Sequence, residues 1–206
     1  MFNKLKNYFN RKNLKDEKFS YLFDRPLDEE FVCFDCETTG LNPLEDDIIS
    51  IGAVIIKNNT IVSSKKFVRF VKPETKLQVE AIKVHHIREC DLLEAGNIDT
   101  VIEEFLEFIG SRKLVGYYLE FDIAMINKYL KPKLGIKLPN KAYEVSAIYH
   151  DWKIEAIPQS NIDLRFDTIL KELKIPPLGK HDAYNDAIMT AMMFLKLKNQ
   201  AKVKVK

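Results

Sequence analysis

Cysteine is scarce in this sequence, with three in 206 residues, and an odd count without framework spacing excludes a disulfide-stapled secreted fold. A reducing, cytoplasmic setting is therefore expected. A continuous apolar run is also missing; the opening MFNKLKNYFNRKN is interrupted throughout by lysine, asparagine and arginine, which excludes a signal peptide or a membrane span there. Neither charge sign dominates: 32 basic against 30 acidic residues leave a formal charge of +2 and a pI near 8.3. Such balance is ordinary for soluble proteins, so any basic groove must be local. Internal repeats are absent, and the only biased tract is the terminal KVKVK, which reads as frayed.

What is present is apolar side chain, 46% of residues, enough to bury one substantial core. The organisation expected is a basic N-terminal extension at 1–30, a domain at 31–198 and a basic tail at 199–206. The extension carries Lys4, Lys6, Arg11, Lys12, Lys15 and Lys18 against Asp16 and Glu17, and Phe2, Leu5, Tyr8 and Phe9 recur at helical spacing. It reads either as a solvated extension or as a short amphipathic helix for a partner or membrane surface. From Phe31 the pattern becomes β: FVCFD, DIISIGAVII and TIVSSKKFVRFV, with Asn58 and Asn59 favouring a tight hairpin because asparagine tolerates positive φ. The chain then alternates. Helices are predicted near Ile98–Gly110, Leu119–Leu130, Leu164–Leu173 and Ala183–Lys198, with strands at KLVGY and around Ala142–Ala147. An antiparallel meander followed by strand–helix alternation implies an α/β layer fold with a mixed sheet.

Cys33 and Cys36 form a C-x-x-C pair, yet they sit on a strand, where positions three apart face opposite sides, and no second Cys or His pair stands at zinc-finger spacing. Strand packing accounts for them. His150 and Asp151 form an adjacent His-Asp pair without a supporting ligand set and read as surface helix.

Asp35 and Glu37 stand two apart at a strand end, so both carboxylates project from one face and repel each other. An isolated D-x-E is ordinarily solvated; here an apolar strand precedes it and Thr38, Thr39 and Gly40 follow, offering hydroxyls and a flexible turn. Asp122 shares a helical stripe with Met125, Ile126 and Tyr129, and a charge on a buried stripe needs a cation, a hydrogen-bond network or a raised pKa. In GKHDAYNDAIMTA, Asp182 is a plausible N-cap, Ala183, Ala187 and Ala191 give a small-residue face able to approach a sheet, and Asp186 lies in the first turn, where the helix dipole favours its ionised form. His181 precedes that helix in a loop.

These three clusters resemble the three motifs of the DnaQ-like exonucleases with four acids and a histidine, of the kind found in DNA polymerase III epsilon and PolC-type proofreading domains. The likeness runs from about Phe31 to Leu195 through FDCETTGL, the stretch ending at Asp122, and HDAYNDA. It implies an RNase H-like fold with a five-stranded mixed sheet flanked by helices. It also implies a two-metal 3′-to-5′ exonuclease, releasing nucleoside 5′-monophosphates from single-stranded or frayed 3′ ends, DNA first and RNA as the alternative. Tyr118 departs from the family's usual asparagine. Glu80 and His85 in VEAIKVHHI look like the family's substrate-side pair, with His86 in place of the usual glycine; helix-end roles fit them too. The alternative tyrosine base is out of register, since Asp182 occupies that slot, which indicates the histidine subclass.

By the same resemblance, Asp35 bridges two divalent cations, Glu37 and Asp186 hold the one carrying the attacking water, Asp122 acts through water on the other, and His181 removes a proton. All-carboxylate ligands favour Mg²⁺ or Mn²⁺ over zinc. Thr38, Thr39, Leu41, Glu80, His85, Tyr118 and Phe121 are expected to hold substrate, with core packing equally open for Phe121 and its neighbour Tyr117. Expected partners are DNA or RNA 3′ ends, and a polymerase or other protein reached through the N-terminal extension. The rival from another class is a non-catalytic nucleic-acid-binding protein on this fold, against which stands the retention of all four acids.

Overall fold

The computed structural model describes residues 2–26, 29–156, 161–179 and 181–200; the expected tail lies largely outside them. Five strands form one sheet in the order β3-β2-β1-β4-β5. β1 (Glu30–Thr38), β2 (Ile48–Lys57) and β3 (Thr60–Phe70) make the antiparallel meander, and β4 (Lys113–Gly116) and β5 (Ala142–Glu144) join in parallel. Asn58 and Asn59 turn the β2–β3 hairpin with φ of 49° and 59°, the left-handed conformation their side chains tolerate.

Around the sheet lie α1 (Phe2–Lys12), α2 (Val79–His85), α3 (Ile98–Ile109), α4 (Leu119–Leu134), α5 (Val145–Ala156), α6 (Phe166–Glu172) and α7 (Ala183–Gln200). Central strand β1 is apolar on both faces because both are covered. Val32, Phe34 and Cys36 face a core with Phe105 and Leu106 of α3 and Met125, Ile126 and Leu130 of α4. Phe31 and Cys33 face a second core with Tyr149, Ile169, Ala191, Phe194 and Leu197 from α5, α6 and α7. The two cysteines thus serve opposite layers, as strand alternation requires.

Two expectations change. Residues 142–147 do not form one strand: β5 stops at Glu144, whose carboxylate accepts hydrogen bonds from the Ser146 N–H (3.0 Å) and hydroxyl (2.7 Å), and α5 begins at Val145. Nor does packing begin at residue 31. A 3₁₀ turn at Glu17–Phe23 buries Phe19 and Leu22 in the α3–α4 core, so the second half of the expected extension is part of the domain. α1 itself is clasped to the loop after α4, where Asn10 donates to the Lys137 carbonyl at 2.7 Å and accepts from its N–H at 3.0 Å. No helix among the described residues is long and apolar enough to cross a membrane.

Candidate active site

Strand alternation places Asp35 and Glu37 on the side of β1 that carries Phe31 and Cys33, the side packed by α7. Asp186 rises from the first turn of α7, and carboxylate oxygens of Asp35, Glu37 and Asp186 lie within 4.8 Å of one another. α7 opens as its sequence suggests: the Asp182 carboxylate accepts the Asn185 N–H at 2.9 Å, capping the helix.

Asp122 comes from the other layer. It is 3% exposed on α4 and reaches over the strand, where its Oδ1 accepts the Cys36 N–H at 3.1 Å. Burial pushes Asp122 well above the usual carboxylate range, against the Cys36 bond and with the charge of Glu37. Burial does the same to Asp35, reinforced by the charges of Asp122, Glu37, Asp186 and Asp182. Glu37, 9% exposed, is raised by burial and by Asp186 and Asp182 to about 7. No ammonium or guanidinium among the described residues pairs with Asp35, Glu37 or Asp122. Several converging carboxylates without a cation are held apart from their preferred ionised state, and a divalent ion removes that conflict. An all-oxygen donor set fits a hard cation.

His181 lies at the mouth of this cluster with a left-handed backbone (φ 59°), and its N–H donates to Asp186 Oδ2 at 3.1 Å. It lines a cavity of about 240 Å³ with Asp35, Asp186, Tyr117, Phe166 and Asp167. Tyr117 is fixed by packing: its hydroxyl donates to the Leu164 carbonyl at 2.9 Å, and its ring meets Phe166 edge-on at 4.9 Å.

A second cavity, about 320 Å³, opens on the other side of Glu37 and is lined by Thr38, Leu41, Gln78, Glu80, Val84 and His85, among others. Four of the residues expected to hold substrate meet here. Leu41 is 85% exposed, a bare apolar side chain beside the acids. His85 is buried at the end of α2, where its Nδ1 accepts the Ile87 N–H at 3.0 Å; burial lowers its pKa, against the Thr38 backbone. It both closes the helix and faces the cavity.

The remaining three do not join them. Thr39 is fully buried, and its hydroxyl is engaged by Asp46 (3.2 Å), Thr75 (3.0 Å) and the Asp47 N–H (2.9 Å). Phe121 is partly buried and packs against the α3–α4 core, the packing left open for it by the sequence. Tyr118 stands apart from the cavity, 75% exposed at the start of α4. Asp46, Asp47 and Gln78 were not foreseen. Asp46 accepts from Thr39, Gln78 Nε2 (3.0 Å) and the Asn42 N–H (2.7 Å), and Asp47 ties the same turn to α4. Consecutive acids in a polar loop carry no period, so no local signal marks them.

Residues 32–194 match the exonuclease family model RNase_T, most of the chain. The chain belongs to the exonuclease family. It is a DnaQ-like exonuclease of the DNA polymerase III epsilon type, and 3′-to-5′ direction and metal dependence follow from the family. The DNA polymerase III subunit epsilon of Aquifex aeolicus is 30% identical over 178 residues, covering 84% of this chain and 83% of that subunit. The PolC-type DNA polymerase III of Caldanaerobacter subterraneus subsp. tengcongensis is 35% identical over 175 residues, 83% of this exonuclease but 12% of the polymerase. This exonuclease therefore spans about an eighth of the PolC-type relatives it matches. Among solved structures, exonuclease I has a TM-score of 0.71 at 17% identity, covering 83% of this chain and 41% of that one. Exonuclease X in complex with 5′-overhanging duplex DNA has a TM-score of 0.65 at 21% identity, covering 83% and 92%. Likeness at these identities is likeness of fold, the RNase H-like sheet flanked by helices.

Proposed function

We propose that this exonuclease hydrolyses single-stranded or frayed DNA 3′ ends one nucleotide at a time, releasing nucleoside 5′-monophosphates in a proofreading or repair role. The observation that carries the proposal is the convergence of Asp35, Glu37 and Asp186 to within 4.8 Å, beside Asp122 and under His181, with no basic partner for Asp35, Glu37 or Asp122 among the described residues. These four carboxylates are the ligands we assign to two Mg²⁺ or Mn²⁺ ions. When bound, such ions supply an activated water and neutralise charge on the phosphate.

The chain's own groups supply the rest. His181 accepts the proton of the attacking water as the water oxygen bonds to phosphorus, and the 3′ oxygen of the preceding nucleotide leaves. The Asp186 bond to the His181 N–H holds the histidine-bearing loop over the cluster. Leu41, Glu80 and His85 frame the cavity next to Glu37 and orient the terminal nucleotide, whose bases are held by apolar contact without sequence reading. Partnership with a polymerase, and a cytoplasmic setting in which Cys33, Cys36 and Cys90 remain free thiols, complete the reading.

The test offers Mg²⁺ or Mn²⁺ with labelled single-stranded DNA, duplex DNA with a 3′ overhang, and RNA, each with one end blocked. Release of 5′-monophosphates from free 3′ ends of DNA is expected. Equal or faster release from RNA would move the assignment to RNA 3′-end processing, and no release from any substrate would overturn it.

A further inference from the structure

The whole chain is close to neutral, but its basic residues are not evenly placed. Residues 1–15 hold five lysine or arginine residues and no acid, and residues 123–143 hold five lysines and no acid. The rest of the chain is therefore net acidic. The fold brings these two distant segments together: Asn10 clasps the backbone of Lys137, and the Lys15 N–H donates to the Leu134 carbonyl at 3.0 Å. Between them runs a groove of about 900 Å³ whose lining includes Lys131, Lys137 and Lys141 and not one carboxylate.

Side-chain hydrogen bonds tie its wall to the neighbouring backbone. Asn127 Oδ1 accepts the Leu138 N–H at 2.8 Å, and Asn140 Nδ2 donates to the Gly110 and Arg112 carbonyls at 2.8 Å each. Lys128, Lys133 and Arg11 are engaged by acids outside the groove, whereas Lys131 and Lys137 form no ion pair among the described residues. Phe9 lines the groove and is 57% exposed. The ammonium groups of Lys131 and Lys137, with no competing acid among the described residues, and the exposed ring of Phe9 beside them suit a single-stranded polyanion whose phosphates take the charge and one of whose bases takes the ring.

The groove also points the right way. Ile123, Asn127 and Lys131 occupy one face of α4 at intervals of four, and Ile123 immediately follows Asp122. The track thus leaves the turn that carries a site acid and descends about 12 Å along the helix to Lys131. We infer that the groove between α1 and the α4–β5 loop is a second nucleic-acid site, which holds the strand behind the 3′ end while that end occupies the acid cluster. This rests on the exonuclease reading above.

The test uses the full chain in EDTA, where no hydrolysis occurs, with a fluorescent oligothymidylate of about 20 nucleotides. The variant K131E/K137E is expected to bind it roughly tenfold or more weakly, with a log–log salt dependence shallower by about 1.4, two phosphate contacts' worth. K131Q/K137Q should show the same change in reduced size. Both variants should melt as wild type does and, in Mn²⁺, hydrolyse a thymidylate trimer at the wild-type rate, since a trimer is too short to span both sites. Unchanged oligonucleotide affinity and salt slope overturn the inference. So does a poly-glutamate peptide of equal charge that displaces the oligonucleotide as well as unlabelled strand does, because the groove would then be a surface for an acidic protein. Wild type that binds in EDTA but hydrolyses nothing in Mn²⁺ defeats the exonuclease reading and leaves the binding result to decide the groove.

Discussion

Gly52 lies directly across β1–β2 from Asp35, and a Cβ there would overlap the backbone of Ala183 and Tyr184. The absent side chain is what lets the start of α7 settle on the sheet and bring Asp186 to Asp35. Gly52→Ala should therefore push α7 outward, lowering stability by about 1 to 3 kcal/mol and weakening divalent-ion binding more than the loss of stability accounts for. Thermal melting and calorimetric Mn²⁺ titration check this; wild-type values in both would show that the contact positions nothing.

Asp35→Asn keeps the shape of the side chain and removes its charge from a cluster whose members repel. Nuclease activity should vanish. In metal-free buffer at pH 8 the variant should melt at or above the wild-type temperature, because burial and four neighbouring acids already oppose ionisation there. A variant that melts well below wild type would mean that Asp35 is a structural carboxylate with a favourable partner.

The pH dependence of the metal-free protein has a defined sign. Glu37 is raised from its ordinary 4.5 to about 7 when folded, so between those values the native state keeps a proton that the unfolded chain has lost. Stability is then full below about 4.5 and declines as pH rises through 7, by up to about 3 kcal/mol from this group alone. Asp35 and Asp122 shift the same way, while His85, lowered by burial, opposes them with one imidazole against three acids. Melting temperature in EDTA should fall from pH 5 to pH 8, and saturating Mn²⁺ should flatten the curve. A rising curve in EDTA would contradict the electrostatics described for the cluster.

Much of this is legible in the sequence alone. Strand alternation put Asp35 and Glu37 on one face, and the alanines of α7 announced a close approach to the sheet. The hairpin at Asn58–Asn59 was equally readable, since its backbone needs the positive φ that asparagine tolerates. His86 ends α2 in the left-handed region with φ 59°, a conformation that glycine adopts without steric cost. Other features depended on partners that no local pattern reveals. Thr39 looks like a free hydroxyl until Asp46 and Asp47 arrive to occupy it. The stretch YEVSAIY has the composition of a strand, yet Val145 and Tyr149 are buried four apart on a helix against α7. Gly52 is an unremarkable glycine in a strand until the helix above it is in place.

Asp47 is the bolt of the loop that follows the catalytic strand. Its Oδ1 accepts from Lys128 Nζ (2.9 Å) and the Tyr129 hydroxyl (3.0 Å), and its Oδ2 from the backbone N–H groups of Glu74 (3.0 Å) and Thr75 (2.8 Å). Burial opposes the charge, but these bonds outweigh it and lower the pKa from 3.8 to about 2. The stability it contributes is therefore present above 3.8 and lost as pH falls through about 2. Asp47→Ala strands four donors in part-buried bonds and should cost about 1 to 3 kcal/mol at neutral pH. Chemical denaturation measures this; a cost below about 0.5 kcal/mol would show that the network is replaced by water.

Tyr118 stands in the left-handed region, with φ 59° and ψ 31°, one turn before Asp122, and its ring is 75% exposed. That conformation costs an ordinary L residue about 1 kcal/mol and suits asparagine, the residue the family usually places there. Packing does not offset the strain, since the ring is mostly in solvent. We propose that an unpaired base stacking on the exposed ring offsets this cost when substrate is bound. Tyr118→Asn should consequently raise the melting temperature by about 2 to 4 °C while weakening the protein's affinity for single-stranded oligothymidylate in EDTA by about fivefold or more. Tyr118→Phe, which keeps the ring, should leave both quantities near wild type. If Tyr118→Asn gains stability and binds the strand as tightly as wild type, the ring has no part in holding substrate and the strain at this position is merely tolerated.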